Sequence, residues 1–430
     1  MSILIMGTGY VGITTAIMFA ELGVRVTGFD SDAGKIALLN EGRLPIYEPG
    51  MRTALAQHLS QGMLRFVQDA RSIGEHDTIF LCVGTPSNSD GSANLSAIRH
   101  ASEWIGQYMK EPTLVVIKST VPVGVNEKVA GWIANKQASP IPFDVVMNPE
   151  FLREGTALAD ALAPDRIVVG SDSKQAAEHL VSLYETFDCP KIITTPRAAI
   201  MIKYASNAFL ATKISFVNEL ARLCDELRID IGEVTQGIGL DPRIGPLFLR
   251  AGIGYGGSCF PKDVDALLHM ASESKTKLTV IEHVARVNRT QPLHSLDRWE
   301  RALPATFAGM TVAMLGIAFK PDTDDLREAP ALVILSELLA KQAIVHVHDP
   351  LAVVPPHFRM LGVTQFDTVE AALNGADAVI LCTEWPEYRT VDWGALKSVM
   401  NDSIVFDGRN ALDGDALSEL GFAYYGIGRH

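Results

Sequence analysis

The segment around Cys259 holds the residues best suited to covalent chemistry. Cys259 has glycines shortly before it and Pro261 shortly after it. Proline favours the first turn of a helix, so the cysteine is expected just before a helix N-terminus, where a thiolate is stabilised. Asp263 follows one turn into that helix. This arrangement predicts an accessible nucleophilic thiol rather than an inert core cysteine.

A glycine pattern near the start of the chain indicates a dinucleotide site. Gly7, Gly9 and Gly12 fit G-x-G-x-x-G between an apolar strand and a helix, and Asp30 ends the next strand. The glycines provide a tight turn, close approach to a pyrophosphate and close helix packing. An Asp30 carboxylate would bind ribose hydroxyls and repel a 2′-phosphate, which favours NAD over NADP, although Lys35 would soften that repulsion. FAD is disfavoured because no second flavin signature is visible.

A nicotinamide site combined with a thiolate narrows the chemistry. Hydride transfer would convert an alcohol to an aldehyde, to which the thiolate would add. A second hydride transfer would leave a thioester that water hydrolyses. The sequence therefore predicts a four-electron oxidation of a primary alcohol to a carboxylate. The alternatives are a two-electron alcohol dehydrogenase, which needs no cysteine, and a non-catalytic NAD sensor or ligand-binding regulator on the same frame.

The elements that must position these residues alternate between strands and helices. This alternation predicts a parallel sheet with both faces covered. The stretch from about Arg197 to Leu227 contains no glycine or proline and is predicted to form one long helix. Helical patterning returns from Asp263 to about Asn288. From residue 309 the opening pattern recurs: the segments at 312–316, 344–349 and 377–382 echo those at 3–7, 24–30 and 77–82, in the same order.

These patterns predict an α/β fold of two doubly wound, Rossmann-like domains joined by a long central helix. We expect an N-terminal NAD-binding domain over residues 1–196. A central helical region with the cysteine loop would cover 197–295. A C-terminal Rossmann-like domain would occupy 296–430.

Composition limits the classes of protein to consider. The 430 residues include 37 basic and 50 acidic side chains, a net charge of −13, and 47% are hydrophobic. The apolar content is enough for a sizeable core, and the acidic balance argues against nucleic acid or an anionic membrane as a partner. The start lacks a basic n-region, no apolar run approaches a membrane span, and five scattered cysteines lack metal-ligand spacing. We therefore expect a cytoplasmic, reduced protein without a metal site.

The motifs together resemble those of the UDP-glucose/GDP-mannose dehydrogenase family over essentially the whole chain. The resemblance is carried by the segments at 7–12, 45–50, 83–86, 118–122, 148–155, 203–207, 248–252, 254–263 and 319–327.

The resemblance implies a role for each catalytic candidate. Cys259 would be the nucleophile. Lys203 and Asn207, four apart on the long helix, would share a face and stabilise the oxyanion. Asp263 and Thr120 would hold a water for proton transfer.

Glu150 is implied to activate or position the water that hydrolyses the thioester. Two glutamates four apart, Glu150 and Glu154, are also typical of a solvent-facing helical pair.

The implied NAD-binding residues are Gly7, Gly9, Tyr10, Val11, Gly12, Asp30, Lys35, Thr85, Thr120, Glu154, Lys262 and Arg327. The implied substrate-binding residues are Glu150, Phe151, Leu152, Arg153, Glu154, Lys203, Asn207, Arg243, Phe248, Leu249, Arg250, Ala251, Gly252, Gly256 and Lys320.

The implied substrate is UDP-glucose, which would be oxidised to UDP-glucuronate for polysaccharide biosynthesis. The resemblance implies that residues 248–252 form a cradle for the uridine and the sugar. This cradle and Phe260 resemble the UDP-glucose branch of the family, and GDP-mannose is the alternative substrate. Lys320 lies in the segment of the C-terminal domain that corresponds to the glycine motif at 7–12. The C-terminal domain lacks that motif and is therefore expected to bind a nucleotide sugar rather than a dinucleotide.

The family also implies a homodimer through the long helix. In several members of the family, an arginine of one subunit contacts the substrate bound by the neighbouring subunit, and Arg243 matches that position. Tyr10 lies inside the phosphate turn, where its phenol would either help position the hydrolytic water or serve in packing.

Overall fold

The computed structural model describes residues 2–429, which form two compact units. The first unit takes in the chain up to Ser206 together with Asp265–Thr276, and the second takes in Asn207–Val264 together with the chain from Lys277 onward. Two helices contribute residues to both units. The predicted boundaries at residues 196 and 295 stay predictions.

The first unit is built around an eight-stranded sheet. Its strands are β1 (Ile3–Met6), β2 (Val26–Phe29), β3 (Leu64–Val67), β4 (Thr78–Leu81), β5 (Thr113–Ile117), β6 (Phe143–Met147), β7 (Ile167–Gly170) and β8 (Lys191–Thr194). They lie in the order β3-β2-β1-β4-β5-β6-β7-β8. The helices are α1 (Tyr10–Glu21), α2 (Ala33–Asn40), α3 (Met51–Ser60), α4 (Ser96–Tyr108), α5 (Val125–Ala134), α6 (Ala157–Leu162) and α7 (Lys174–Ser182).

The predicted parallel sheet is confirmed, with one antiparallel pairing among its strands. β7 pairs with β6 in antiparallel fashion, and β8 then runs parallel to β7. The only helix between β6 and β7 is α6, whose six residues span about 9 Å. The two strands meet at a single residue pair, Met147 and Gly170, and mixed sheets often carry an antiparallel strand near one edge.

The second unit repeats the first six strands of that sheet. Its strands are β9 (Thr311–Leu315), β10 (Ile344–His348), β11 (Thr364–Gln365), β12 (Ala378–Leu381), β13 (Ile404–Asp407) and β14 (Ala423–Tyr425). Their order, β11-β10-β9-β12-β13-β14, matches β3-β2-β1-β4-β5-β6, and every pair is parallel. The internal repeat predicted from the sequence is thus confirmed as a repeated topology, and the two-domain α/β fold is confirmed with it.

The long helix is confirmed as α8 (Pro196–Leu227), whose 32 residues span about 48 Å. The predicted helix from residue 263 to 288 is instead divided into α10 (Phe260–Glu273) and α11 (Thr279–Ala302). The break falls in a polar stretch around Lys275, which has a positive φ of 54°. The other helices of the second unit are α9 (Ile231–Gly239), α12 (Pro330–Ala340), α13 (Pro356–Met360), α14 (Val369–Leu373), α15 (Pro386–Thr390), α16 (Trp393–Lys397) and α17 (Gly414–Glu419).

Each sheet has its own apolar core. Side chains of β1, β4 and β5 pack against α1 in the first unit, and those of β9, β12 and β13 pack with α12 in the second.

Within residues 2–429, no helix combines the length and the apolar content that a membrane span requires. The same residues contain no group of three or more side chains arranged to hold a metal ion.

Candidate active site

The glycine turn after β1 has the shape that the sequence motif predicts. Gly7 has a φ of +94°, and a Cβ there would lie 2.8 Å from the carbonyl oxygen of Cys82. A Cβ on Gly12 would lie 1.8 Å from the carbonyl oxygen of Gly7, so only glycine fits. Gly9 instead faces open space, and no side chain caps α1 at this end. The turn therefore fits a pyrophosphate held at a helix N-terminus.

Asp30 lies at the carboxyl end of β2 and is held as an anion. Its Oδ2 accepts hydrogen bonds from the amide and the hydroxyl of Thr8 and from Lys35 Nζ, each at 2.9 Å. Burial alone would raise the pKa of Asp30, but the Thr8 amide and the Lys35 ammonium lower it overall. Because Lys35 pairs with this carboxylate, charge at Asp30 by itself discriminates only weakly against a 2′-phosphate.

The other cofactor candidates divide between the two units. Thr85, after β4, donates a hydrogen bond from its hydroxyl to the carbonyl of Thr120, after β5, at 2.8 Å. Val11 is partly buried in the first turn of α1. The second unit holds Lys262 and Arg327, whose cationic groups pair with neighbouring aspartates. The first unit thus brings the glycine turn, Asp30, Lys35, Thr85 and Thr120 to the carboxyl ends of its parallel strands, where such folds bind ligands.

Glu150 and Lys203 form a buried ion pair in the first unit. Lys203 Nζ donates to Glu150 Oε1 at 2.7 Å, and the two residues are 3% and 6% exposed. The other oxygen, Oε2, accepts from the Leu152 amide at 2.6 Å. Burial acts to raise the pKa of Glu150, but Lys203 and the Leu152 amide hold it below its usual range. The helical-pair interpretation is wrong, because Glu150 lies in a loop and is buried.

The loop that carries Glu150 is fixed from both sides. The amide of Gly155 donates to Glu48 Oε2 at 2.7 Å and to the Tyr10 hydroxyl at 2.9 Å. Arg153 points along its own loop to Asp160, at 2.6 Å. Tyr10 therefore braces the loop through its hydroxyl. Of the remaining substrate candidates here, Phe151 and Glu154 are partly buried.

Cys259 lies directly before α10, as predicted. The Asp263 amide donates to the Cys259 carbonyl at 2.9 Å, which closes the first turn of the helix. Cys259 is partly exposed, whereas Cys82 and Cys382 are buried and burial raises the pKa of each thiol to about 12. The position of Cys259 thus differs from that of core cysteines in exposure and in its proximity to a helix N-terminus.

Asp263, Asn207 and Lys262 form a second cluster, in the second unit. Asn207 Nδ2 donates to Asp263 Oδ2 at 2.6 Å, and Lys262 Nζ donates to Oδ1 at 2.5 Å. Asp263 is only 2% exposed. The structure therefore brings Asn207 to Asp263 and Lys203 to Glu150, although Lys203 and Asn207 are one turn apart on α8.

Gly252, which ends the predicted cradle, is bound by side chains from two helices. Its amide donates to Asn218 Oδ1 of α8 at 2.8 Å. Its carbonyl accepts from Gln291 Nε2 of α11 at 2.9 Å. Asn218 and Gln291 are completely buried. The backbone here has no strand or helix to satisfy it, so these amides take that place.

Tyr255 is held in the same way. Asn288 of α11 accepts from the Tyr255 amide at 2.8 Å and donates to its carbonyl at 3.0 Å. The Tyr255 ring meets Phe260 edge-on at 5.8 Å between centroids, and Phe248 lies 6.2 Å from Phe260. Phe260 directly follows Cys259. The aromatic cluster therefore links the bound loop to the first turn of α10.

The remaining cradle residues differ in exposure. Leu249 and Ala251 are buried, and Arg250 is exposed. Phe248 adopts a φ of +65°, a conformation that favours glycine and is held here by its surroundings. A Cβ on Gly256 would lie 2.3 Å from the carbonyl oxygen of Glu328, so close packing requires glycine there.

Sequence reasoning missed Arg409. Its guanidinium donates to three carbonyl oxygens: Cys382 at 2.7 Å, Gly254 at 2.8 Å and Phe319 at 3.2 Å. It therefore joins the cysteine loop to the segment that carries Lys320. The available signal was its place after β13, at the carboxyl end of a parallel strand.

The second unit closes its own counterpart of the dinucleotide turn. After β9, the amides of Ile317 and Ala318 donate to Asp349 Oδ2 at 2.7 and 3.0 Å. Asp349 occupies the place after β10 that Asp30 occupies after β2. No helix follows at once, since α12 begins only at Pro330. The partly buried Lys320 lies in the intervening loop, so this turn does not have the form of a pyrophosphate site.

Arg243 lies on the surface after α9. Its side chain is 88% exposed and pairs with Asp241 at 2.6 Å. Within this chain it is therefore at the periphery of the second unit.

Comparison with protein families matches most of the chain to the domains of one family. Residues 1–188 match the NAD binding domain of the UDP-glucose/GDP-mannose dehydrogenase family, residues 197–290 its central domain, and residues 313–414 its UDP binding domain.

Individual relatives are similar over their full length. The chain is 42% identical to the UDP-glucose 6-dehydrogenase YwqF of Bacillus subtilis, covering 100% of this chain and 98% of that protein. A UDP-glucose dehydrogenase structure from Pyrobaculum islandicum is 39% identical, with a TM-score of 0.92 and coverage of 100% and 98%. A UDP-D-ManNAc dehydrogenase structure from Pyrococcus horikoshii has a TM-score of 0.89 at 29% identity, covering 100% and 99%. Fold similarity alone therefore does not select the sugar.

Asn288 offers a direct test of how the cysteine loop is held. Replacing Asn288 by Ala leaves the amide and carbonyl of Tyr255 without their partners, which costs about 1–3 kcal/mol for each buried group. We expect amide hydrogen exchange across residues 252–257 to accelerate by about tenfold or more. Asn288→Asp, which keeps the acceptor but loses the donor, should fall between. The exposed Arg286→Ala on the same helix is the control, and an unchanged exchange rate in Asn288→Ala would contradict the assignment.

Proposed function

The chain belongs to the UDP-glucose/GDP-mannose dehydrogenase family, and we propose that it oxidises UDP-glucose to UDP-glucuronate. It is an NAD-dependent nucleotide-sugar 6-dehydrogenase. UDP-glucose is favoured because the relatives with the higher identity carry UDP-glucose in their names, whereas the relative named for an acetylated sugar is less similar. The predicted cytoplasmic location and the absence of nucleic-acid and membrane partners stay predictions.

NAD is the cofactor, and when bound it supplies the acceptor for the hydride in each oxidation. The glycine turn would hold the pyrophosphate at the N-terminus of α1. Asp30 would accept the ribose hydroxyls, with Lys35 beside it. Thr85 and Thr120 would close the strand ends around the nicotinamide half. Glu154, Lys262 and Arg327 stay predicted contacts.

The first oxidation removes a hydride and a proton from the sugar's C6 alcohol and yields an aldehyde. Asp263 and Thr120 would hold the water that takes the proton. Lys203 and Asn207 would stabilise negative charge on the C6 oxygen. An ammonium and an amide are suitable donors for that oxyanion.

The second oxidation proceeds through Cys259. The thiolate adds to the aldehyde carbon to form the anion of a thiohemiacetal, and loss of a hydride from that anion gives a thioester. Water then adds to the thioester carbonyl and the carbon–sulfur bond breaks, which releases the carboxylic acid and the thiolate, and the acid then gives its proton to solvent. Glu150 would take the proton from that water. The sugar therefore loses two hydrides in the whole reaction.

The observation that carries this proposal is the setting of Cys259. It is a partly exposed thiol at a helix N-terminus, on a loop whose backbone is bound by buried side chains. A nucleophile must be held where it can attack, and rigid support reduces the entropic cost of doing so. A two-electron dehydrogenase would have no use for this arrangement.

The stoichiometry of NADH distinguishes the candidate reactions. We expect two NADH for each UDP-glucose consumed, with UDP-glucuronate as product and little or no turnover of GDP-mannose. One NADH for each sugar would remove the thioester step. Turnover of GDP-mannose in preference would assign the enzyme to that branch of the family.

Replacing Cys259 should separate binding from chemistry. Cys259→Ala should lower acid formation by a factor on the order of 10³ or more, because the covalent intermediate cannot form. NAD binding, followed by calorimetric titration, should stay unchanged. Cys189→Ala, which alters another partly exposed thiol, is the matched control. Full acid production by Cys259→Ala would refute the covalent mechanism.

We further propose that α8 forms a homodimer interface. Phe209, Phe216 and Leu223 repeat every seven residues along α8 and are 65%, 50% and 54% exposed. This spacing places them in one apolar stripe on the helix surface. The exposed Arg243 would then be available to the partner subunit's substrate.

A charge placed in the stripe should separate the subunits. Phe216→Glu would bury an unpaired carboxylate in the interface, so light scattering should detect a monomer and catalytic activity should fall with it. Met360→Glu, at an apolar side chain that is 81% exposed in the second unit, should leave the dimer intact. A dimer that survives Phe216→Glu would place the interface elsewhere.

A further inference from the structure

Lys118 is a buried lysine to which the mechanism above gives no role. It follows β5 and is 8% exposed. Its Nζ donates to Asn148 Oδ1 at 3.1 Å and lies 5.9 Å from the centre of the Tyr184 ring. Within residues 2–429 it forms no ion pair. Burying an ammonium without a paired carboxylate costs several kcal/mol, so its retention requires a reason.

Lys118 and Glu150 line the same cavity. This cavity in the first unit has a volume of about 130 Å³, enough for several waters, and Asn148 and Tyr184 also line it. Burial lowers the pKa of Lys118, and the charge of Glu150 opposes that effect. Lys118 in turn helps to lower the pKa of Glu150. The two groups therefore interact electrostatically although Glu150 is hydrogen-bonded to Lys203.

Lys203 has two competing tasks in the proposed mechanism. It neutralises Glu150 at 2.7 Å, and it is also assigned to the oxyanion of the substrate. When Lys203 turns to the substrate, a buried Glu150 without another cation would take up a proton. A protonated Glu150 cannot accept a proton from the hydrolytic water.

We propose that Lys118 is a positioning residue for thioester hydrolysis, because its ammonium beside the shared cavity keeps Glu150 anionic while Lys203 serves the oxyanion. This inference rests on the proposed function. In that step the water oxygen bonds to the thioester carbon, the carbon–Sγ bond breaks, and Cys259 leaves as a thiolate. The proton passes to Glu150 and then to water in the cavity.

Other charged or titratable groups surround Lys118 and Glu150, and the Lys118→Met variant described below leaves them unchanged. Lys203 approaches Glu150 from α8. The groups that face the cavity or Lys118 from the remaining elements are Cys82, Arg153, Asp160, Asp165, Arg166 and Tyr184. Arg153 is paired with Asp160, and Arg166 lies over the Phe151 ring at 3.8 Å. Lys118 is thus the cation available to share the charge of Glu150 with Lys203.

Lys118→Met tests the proposal, since methionine keeps much of the length without the charge. We expect the acid limb of the pH profile of kcat for UDP-glucose to move upward by about one pH unit, because Glu150 would be protonated at higher pH. At a pH between the two acid limbs, where Glu150 is protonated only in the variant, the variant should give a rapid burst of two NADH at each site. The Cys259 acyl adduct should then accumulate and be detected by intact mass. Thermal stability should be unchanged or higher, because a buried charge has been removed.

Tyr184→Phe is the matched control. It removes the hydroxyl that donates to Asn148 Oδ1 at 2.7 Å but keeps the Lys118 charge, so the pH profile should stay as in the wild type. An unmoved acid limb in Lys118→Met, or a loss of thermal stability in proportion to activity, would overturn the proposal. Failure of the wild-type enzyme to give two NADH from UDP-glucose would instead refute the proposed function.

Discussion

The geometry around Cys259 depends on how the backbone of residues 252–255 is satisfied. These residues lie in no helix or strand, and each buried amide or carbonyl without a partner would cost free energy. Amide and guanidinium side chains from α8, α11 and the segment after β13 supply the partners. The cysteine therefore lies on a rigid support although glycines surround it. Glycine serves there for close packing, as at Gly256, and for the positive φ of Gly254 and Gly257.

A second constraint concerns the buried charges of the first unit. Lys203, Glu150 and Lys118 are all nearly inaccessible to water, so their desolvation is costly. The same low dielectric strengthens the interaction of Glu150 with its hydrogen-bonded partner Lys203 and with the charge of Lys118. Such an arrangement contributes little to stability compared with an apolar core. Under the proposed mechanism, its value lies in keeping a carboxylate ionised out of contact with bulk water.

The two sheets show how one topology can serve two purposes. Both place an aspartate after the second strand, where it accepts hydrogen bonds from the turn after the first strand. In the first unit a helix begins directly behind that turn, and its amides remain available to an anion. In the second unit Asp349 engages both turn amides and a long loop replaces the helix. The strand frame is thus retained while the dinucleotide turn is lost.

Several local features of the backbone could be predicted from the sequence. The glycines at 7–12 predicted the turn after β1. The proline after Cys259 predicted the start of α10, and the stretch without glycine or proline predicted α8. Tertiary structure alone decided which side chains meet: Glu150 and Lys203 are 53 residues apart, and Arg409 reaches Gly254 across 155 residues. It also decided the reversed direction of β7. Local patterns report backbone preference and burial, whereas polar partners are selected by packing between distant segments, which leaves no periodic trace in the sequence.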